Sequence, residues 1–99
     1  MASRQVSLSV NDVPIEIDYF VQEFIDHVMG SIIVSLAGTG EIKSLDVSIE
    51  GDKVTINLND AMVPINPFVN KIIRSTIMGM VSSLKGVSEI NRMNISIKR

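Results

Sequence analysis

His27 and Glu23 are the residues whose types and spacing come nearest to a metal site. His27 is the only histidine in the 99-residue chain, and Glu23 precedes it by four residues, which places both side chains on one face of a helix. Asp26 is adjacent in sequence but points about 100° away around such a helix. A metal site needs three or four ligands, and the chain contains no cysteine. We therefore expect no bound metal and interpret His27 as a solvated surface residue.

Lys71 and Ser75 have the spacing of a serine–lysine dyad on a helix. A lysine that acts as a base must be desolvated, whereas both residues fall on the predicted outer face, so we interpret them as a surface pair. The glycine spacings fit neither of the two common phosphate-binding loops. The sequence therefore predicts a protein without enzymatic activity and without a cofactor.

The chain repeats itself. When it is aligned with itself without a gap, so that Val6 stands against Val54, 14 of the positions between 6 and 50 are identical. Many of the other positions exchange one apolar residue for another. Such self-similarity indicates two copies of one structural unit. We predict a single domain, residues 1–99, made of two repeats at 5–50 and 53–98 that a turn at 51–52 joins.

Each copy begins with the pattern of a β-hairpin. Apolar and polar residues alternate on either side of Asn11-Asp12 and of Asn59-Asp60. Asparagine and aspartate tolerate positive φ better than other non-glycine residues, so each pair is typical of a two-residue turn and needs no bound cation to explain it. These turns bring the apolar residues onto one face, in the pairs Val10 with Val13, Leu8 with Ile15, Val6 with Ile17, Leu58 with Ala61, Ile56 with Val63, and Val54 with Ile65.

A helix follows each hairpin. Asp18 and Asn66 are natural N-cap residues, and Pro67 occupies the first helical position, where a missing N–H costs nothing. Gly38 and Gly86 stand where helices commonly end. We expect one apolar stripe per helix to lie on the sheet, formed by Phe20, Val21, Phe24, Ile25, Val28, Met29, Ile32, Ile33 and Leu36 in the first helix and by Phe68, Val69, Ile72, Ile73, Ile77, Met80, Val81 and Leu84 in the second.

A last strand ends each copy, and the junction is a hairpin as well. A turn at Gly51-Asp52 pairs Glu50 with Lys53, which is a favourable cross-strand pair. The sequence thus predicts an α+β two-layer sandwich, internally duplicated as ββαβ-ββαβ, with a six-stranded, mainly antiparallel sheet, two helices on one face and pseudo-twofold symmetry. It leaves open whether each last strand pairs with its own hairpin or with that of the other copy.

Composition narrows the range of partners. The sheet face opposite the helices is polar and free of aromatic residues, and the net charge is −2, so we expect no nucleic-acid binding. The longest uncharged stretch, 28–40, has 13 residues, which is short of the roughly 20 that cross a bilayer. The first residues lack the apolar segment of a secretion signal. We expect a soluble, cytoplasmic protein that does not bind membranes.

Charge differs sharply between the copies. Residues 1–50 carry 2 basic and 8 acidic groups, whereas residues 51–99 carry 7 basic and 3 acidic groups. The reversal falls on equivalent positions, Glu23 against Lys71 and Asp26 against Arg74. Opposite charges guide specific pairing, but the sequence does not decide whether the copies pair within one chain or between chains.

The outer helix faces complete the prediction. Small residues beside an exposed valine or methionine would let another helix approach closely. The candidate interface comprises Glu23, Asp26, Gly30, Val34, Lys71, Arg74, Met78 and Ser82. The predicted function is a protein-interaction or self-assembly domain, with a homodimer or another protein as the partner. The alternative is a small-ligand-binding protein with a pocket between the two repeats.

Overall fold

The computed structural model describes residues 5–38, 41–84, 87 and 89–99. Six strands and two helices follow one another along the chain, and they confirm an α+β fold. In chain order the elements are β1 (Gln5–Val10), β2 (Val13–Ile15), α1 (Tyr19–Ala37), β3 (Ser44–Glu50), β4 (Lys53–Leu58), β5 (Ala61–Val63), α2 (Pro67–Val81) and β6 (Arg92–Lys98).

The strands form one sheet in the order β2-β1-β6-β3-β4-β5, and each neighbouring pair is antiparallel. The last strand β6 lies between β1 and β3 rather than beside β4. The structure therefore answers the question of strand order, because the hairpin β1–β2 is completed by β6 and the hairpin β4–β5 by β3.

The hairpin registers agree with the sequence prediction as far as Ile15 and Val63, where β2 and β5 end, so the predicted pairs Val6–Ile17 and Val54–Ile65 lie beyond the paired strands. Leu8 lies opposite Ile15, Val47 opposite Ile56, and Glu50 opposite Lys53. The turn residues of both predicted Asn-Asp pairs have positive φ, between 50° and 67°, as a tight two-residue turn requires. The turn chemistry inferred from these pairs is confirmed.

The helix starts are also confirmed. The side chain of Asp18 accepts a hydrogen bond from the N–H of Val21 at 2.9 Å, and that of Asn66 accepts one from Val69 at 2.8 Å. Helix α1 ends at Ala37 and is capped by Gly38, whose φ of 71° suits glycine. Helix α2 is described as ending at Val81, and the predicted helix end at Gly86 lies outside the described residues.

One hydrophobic core joins both helices to one face of the sheet. The fully buried helix residues form a row on each helix and pack on the inward-facing residues of the strands. Both helices therefore cover the same face, and the molecule is a plate of 38 × 34 × 18 Å. The helix rows are Ile25, Met29 and Ile33 in α1 and Ile73, Ile77 and Val81 in α2.

The apolar stripe on each helix is narrower than the sequence predicted. Phe20 and Phe24 are 73% and 48% exposed, and Phe68 and Ile72 are 70% and 48% exposed. Phe24 and Ile72 each lie about 140° around the helix from the middle residue of the buried row, Met29 in α1 and Ile77 in α2. A sheet contacts only one side of each helix, so residues at that angle remain on the outer surface.

Candidate interaction surface

The residues with catalytic or metal-binding spacing lie at the surface. Nε2 of His27 is 3.6 Å from Oε2 of Glu23, and the His27 side chain is mostly exposed. Lys71 and Ser75 are both exposed. Within the described ranges, no group of three or more histidine, aspartate and glutamate side chains could hold a metal ion.

Asp26 is buried, although the sequence analysis placed it in the candidate interface. It is 1% exposed, and its Oδ1 accepts hydrogen bonds from Nε and Nη2 of Arg99 at 3.3 and 2.9 Å. Its equivalent, Arg74, donates to the carbonyl of Gly51 at 2.8 Å and lies 3.8 Å from the carboxylate of Asp52. These contacts of Asp26 and Arg74 lie within the chain, so the two charges are poor candidates for binding a partner.

The strand order brings acidic residues of the first half next to basic residues of the second. Arg92 on β6 forms an ion pair with Asp12, the second residue of the β1–β2 turn. Arg92 also lies opposite Glu50 in the sheet, and Glu50 lies opposite Lys53. At these positions, as at Asp26 and Arg99, the charge difference between the halves is balanced within one chain.

Asn11 has a second structural role that the sequence analysis missed. Its Oδ1 accepts hydrogen bonds from the N–H groups of Asn91 and Arg92 at 2.8 and 3.1 Å, and its Nδ2 donates to the carbonyl of Glu89 at 2.8 Å. The side chain therefore fastens the segment that leads into β6 to the β1–β2 turn.

Asn59 forms the same set of hydrogen bonds in the other half of the chain. Its Oδ1 accepts from the N–H groups of Lys43 and Ser44 at 2.7 and 3.0 Å, and its Nδ2 donates to the carbonyl of Glu41 at 3.1 Å. The recurrence of asparagine at both turns was the available signal, but turn chemistry alone already explained it.

Large apolar side chains cover the outer face of the helix layer. Phe20 and Phe24 stack with their ring centroids 6.1 Å apart, and Phe68 and Ile72 stand at the corresponding positions of α2. The sequence analysis had assigned all four to the core. Exposed apolar groups gathered on one face are characteristic of interaction sites, whereas scattered ones are ordinary.

A groove separates the two helices on this face. It has a volume of about 400 Å³ and mainly apolar walls. The C-terminal half of α1 faces the N-terminal half of α2 across it. Its walls are Ser31, Ile32, Ser35 and Leu36 from α1 and Val69, Ile72 and Ile73 from α2. We call this groove, together with Phe20, Phe24, Phe68 and Ile72, the helix-layer surface.

The four uncharged residues predicted for the interface lie in different surroundings. Val34 is 51% exposed. A Cβ atom on Gly30 would lie 3.7 Å from the guanidinium of Arg99, so this glycine lies beside the Asp26–Arg99 pair. Met78 packs partly against the core, and Ser82 is the exposed C-cap of α2. Of the four, Val34 alone presents a large exposed apolar side chain.

By length and composition alone, α1 is long and apolar enough to cross a membrane. A core helix of a soluble protein passes the same test when it is mostly buried, whereas 22% of the α1 window is buried. Helix α1 packs on the sheet through one row of fully buried residues, Ile25, Met29 and Ile33.

Comparison with protein-family models, with curated proteins and with solved structures finds no match for this chain.

Proposed function

We propose that this protein is a non-enzymatic interaction domain, working without a cofactor in the cytoplasm, and that the helix-layer surface is its contact site for protein. The observation that carries the proposal is the exposure of Phe20, Phe24, Phe68 and Ile72 on one face. Aromatic residues are enriched in protein interfaces, where their large area contributes much of the binding energy.

The other surfaces are less suited to binding protein. The edge strands β2 and β5 have three residues each, and Pro14 lies within β2 while Pro64 directly follows β5. Short edges that contain proline resist the addition of another strand. The sheet face opposite the helices carries small polar side chains such as Ser48 and Asn94, which hydrogen-bond to each other at 3.0 Å.

We also infer that the chain arose by duplication and that its halves are related by a pseudo-twofold axis. The central strands pair Val47 with Ile95, two residues that are equivalent positions of the sequence repeat. The hydrogen bonds of Asn11 recur at its equivalent, Asn59. Both observations support an axis that passes between β3 and β6.

A second candidate function is the binding of a small apolar ligand. The groove between the helices favours it, because its volume of about 400 Å³ lies within the usual range of ligand sites. Native mass spectrometry tests this candidate: a ligand seated in the groove should add mass to the purified protein and be lost in Ser35→Trp. A protein without added mass would count against this function.

Photo-crosslinking in cells of the source organism tests the interaction function. Benzoylphenylalanine at position 20 should form adducts with a protein that mass spectrometry identifies. Met62 is the matched control, because it is 70% exposed but lies on edge strand β5. Equal adducts at positions 20 and 62, or none at position 20, would contradict the proposal.

A further inference from the structure

We infer that the protein covering the helix-layer surface is a second copy of this chain, bound helix layer to helix layer about a twofold axis. The inference rests on the proposed function and names its partner. In such an isologous contact both copies use the same surface, so the surface must be self-complementary.

The exposed area approaches what a dimer requires. At about 200 Å² for each large side chain, the exposed fractions of Phe20, Phe24, Phe68 and Ile72 leave on the order of 450 Å² uncovered. A standard interface takes about 800 Å² from each partner. The groove walls and Val34 lie on the same face, and they add to the apolar area before any polar residue is counted.

Three hydroxyl groups on the outer side of the helix layer already donate hydrogen bonds within the chain. The hydroxyl of Ser35 donates to the carbonyl of Ser31 at 3.1 Å, and that of Ser83 donates to Gly79 at 3.0 Å. Thr76 donates in the same way to Ile72 at 2.9 Å. A partner can therefore cover these three residues without leaving a hydroxyl hydrogen unpaired.

The outer face of each helix is larger at one end than at the other. The first half of α1 carries Phe20 and Phe24, whereas the second half carries the small exposed residues Ser31 and Ser35 beside the single larger Val34. The same order holds in α2, from Phe68 to the exposed Gly79. When an antiparallel helix of a second copy is laid on either one, the half with the large residues meets the half with the small ones, so the face suits a second copy of itself.

Charge is sparse on this face. The charged side chains on its two helices include Glu23, which lies 3.6 Å from His27, and the exposed Lys71. The charges of Asp26 and Arg74 are paired within the chain, with Arg99 and with Asp52. Depletion of charge at the centre is characteristic of protein interfaces. Association through this face should consequently depend little on salt, because screening acts on exposed charges.

Solution scattering distinguishes this dimer from other dimers. One copy has a radius of gyration of 12.7 Å and is 18 Å thick. In a stack of two plates, each copy is displaced from the centre of the dimer by half the plate thickness. Adding that displacement in quadrature to the radius of gyration of one copy gives about 16 Å for the dimer. A compact body of twice this chain length has the same expected radius of gyration. Two copies joined edge to edge across the 34 Å width would exceed that compact value and reach roughly 21 Å by the same addition.

The test combines light scattering with small-angle X-ray scattering at low and at high salt. The wild type should be a dimer with the radius of gyration of stacked plates at both salt concentrations. Phe20→Ser with Phe68→Ser should be a monomer with an unchanged circular dichroism spectrum, because both side chains are exposed in one copy. Met62→Ser, which removes an equally exposed apolar residue on β5, should remain a dimer.

A second variant distinguishes loss of association from loss of folding. A side chain at Gly79 meets open space, so Gly79→Arg should fold and place a charge at the contact. We expect it to be monomeric. A monomeric wild type, the larger radius of an edge-to-edge dimer, dissociation in high salt, or dimers that survive both helix-layer variants would each overturn the inference.

Crosslinking from position 20 separates this inference from the proposed function. An adduct between two copies supports both. An adduct with one identified different protein, absent at position 62, would overturn the second copy as the partner while the interaction function stands. No adduct at position 20 would overturn both.

Discussion

At the scale of single residues, the buried carboxylate of Asp26 depends on the guanidinium of Arg99, which is itself partly exposed. We predict that Arg99→Met lowers the free energy of unfolding by about 3 kcal/mol, at the low end of the range for breaking a buried ion pair because of that exposure. Methionine keeps the apolar stem and removes the charge beside Asp26. Urea denaturation measures the change, and Lys98→Met at the neighbouring position, the last residue of β6, is the control. Adding Asp26→Leu should recover most of the loss, and a loss in Lys98→Met equal to that in Arg99→Met would refute this account.

Substitutions at Asn59 should separate its two roles. Asn59→Gly keeps the φ of 50° accessible and removes only the side-chain hydrogen bonds, at about 1 kcal/mol for each bond. Asn59→Ala should cost about 1–2 kcal/mol more, because alanine is strained at positive φ. Chemical denaturation of both variants measures the difference. Equal stability of the glycine and alanine variants would show that backbone strain plays no part at this turn.

These two sites differ in how far the sequence could predict them. Asn11 and Asn59 were predictable as turn residues because positive φ is a local demand. The hydrogen bonds from their side chains to the segments before β6 and β3 were not predictable, because these bonds depend on the strand order. The burial of Asp26 was equally out of reach, because it depends on Arg99, which approaches α1 only because β6 lies beside β1.

At the scale of elements, local pairings were predictable and global order was not. Two-residue turns fix the registers of β1–β2 and β4–β5, so alternation alone aligned their residues correctly. Strand β6 can match either hairpin by its pattern, so its place beside β1 had to come from the structure. Helical periodicity located the stripes but not their width, which left Phe20 and Phe68 wrongly assigned to the core.

The edge strands yield a prediction about aggregation. Val10 and Val13 flank the two-residue turn as a hydrogen-bonded pair, and Pro14 comes next, opposite Ser9. The backbone nitrogen of Pro14, which carries no hydrogen, therefore faces the outer side of β2. Pro14→Val with Pro64→Val should restore two donors and promote elongated oligomers through strand addition. Light scattering should show growing mass, whereas Pro67→Ala, at the first position of α2, should not. Unchanged mass in the double edge variant would mean that strand length alone protects the edges.

At the scale of the whole molecule, the strand order brings acidic residues of the first half into contact with basic residues of the second half. These contacts favour the pairing of two unlike halves. The hairpin β1–β2 needs β6 of the other half, and the hairpin β4–β5 needs β3. With that order, Asp12 meets Arg92 and Asp26 meets Arg99. If the halves are related by the proposed pseudo-twofold axis, each half should be matched to its counterpart and poorly matched to another copy of itself.

Cutting the chain between Gly51 and Asp52 tests this preference for unlike halves. Under the proposed pseudo-twofold relation, a fragment of residues 1–51 paired with itself would place Gly51 where Asp26 needs a guanidinium. A fragment of residues 52–99 paired with itself would bring Arg99 against Arg74. We therefore expect the two fragments to fold together, in equal numbers of each, more tightly than either folds with itself.

Native mass spectrometry and circular dichroism on mixing measure this assembly. Arg99→Gly in the second fragment is the matched variant, because it removes the ion pair with Asp26 and also relieves the contact between Arg74 and Arg99. It should weaken the mixed assembly and strengthen self-pairing of that fragment. Fragments that pair with themselves as readily as with each other would show that the charges do not select the partner, and that shape alone directs the assembly of the two halves.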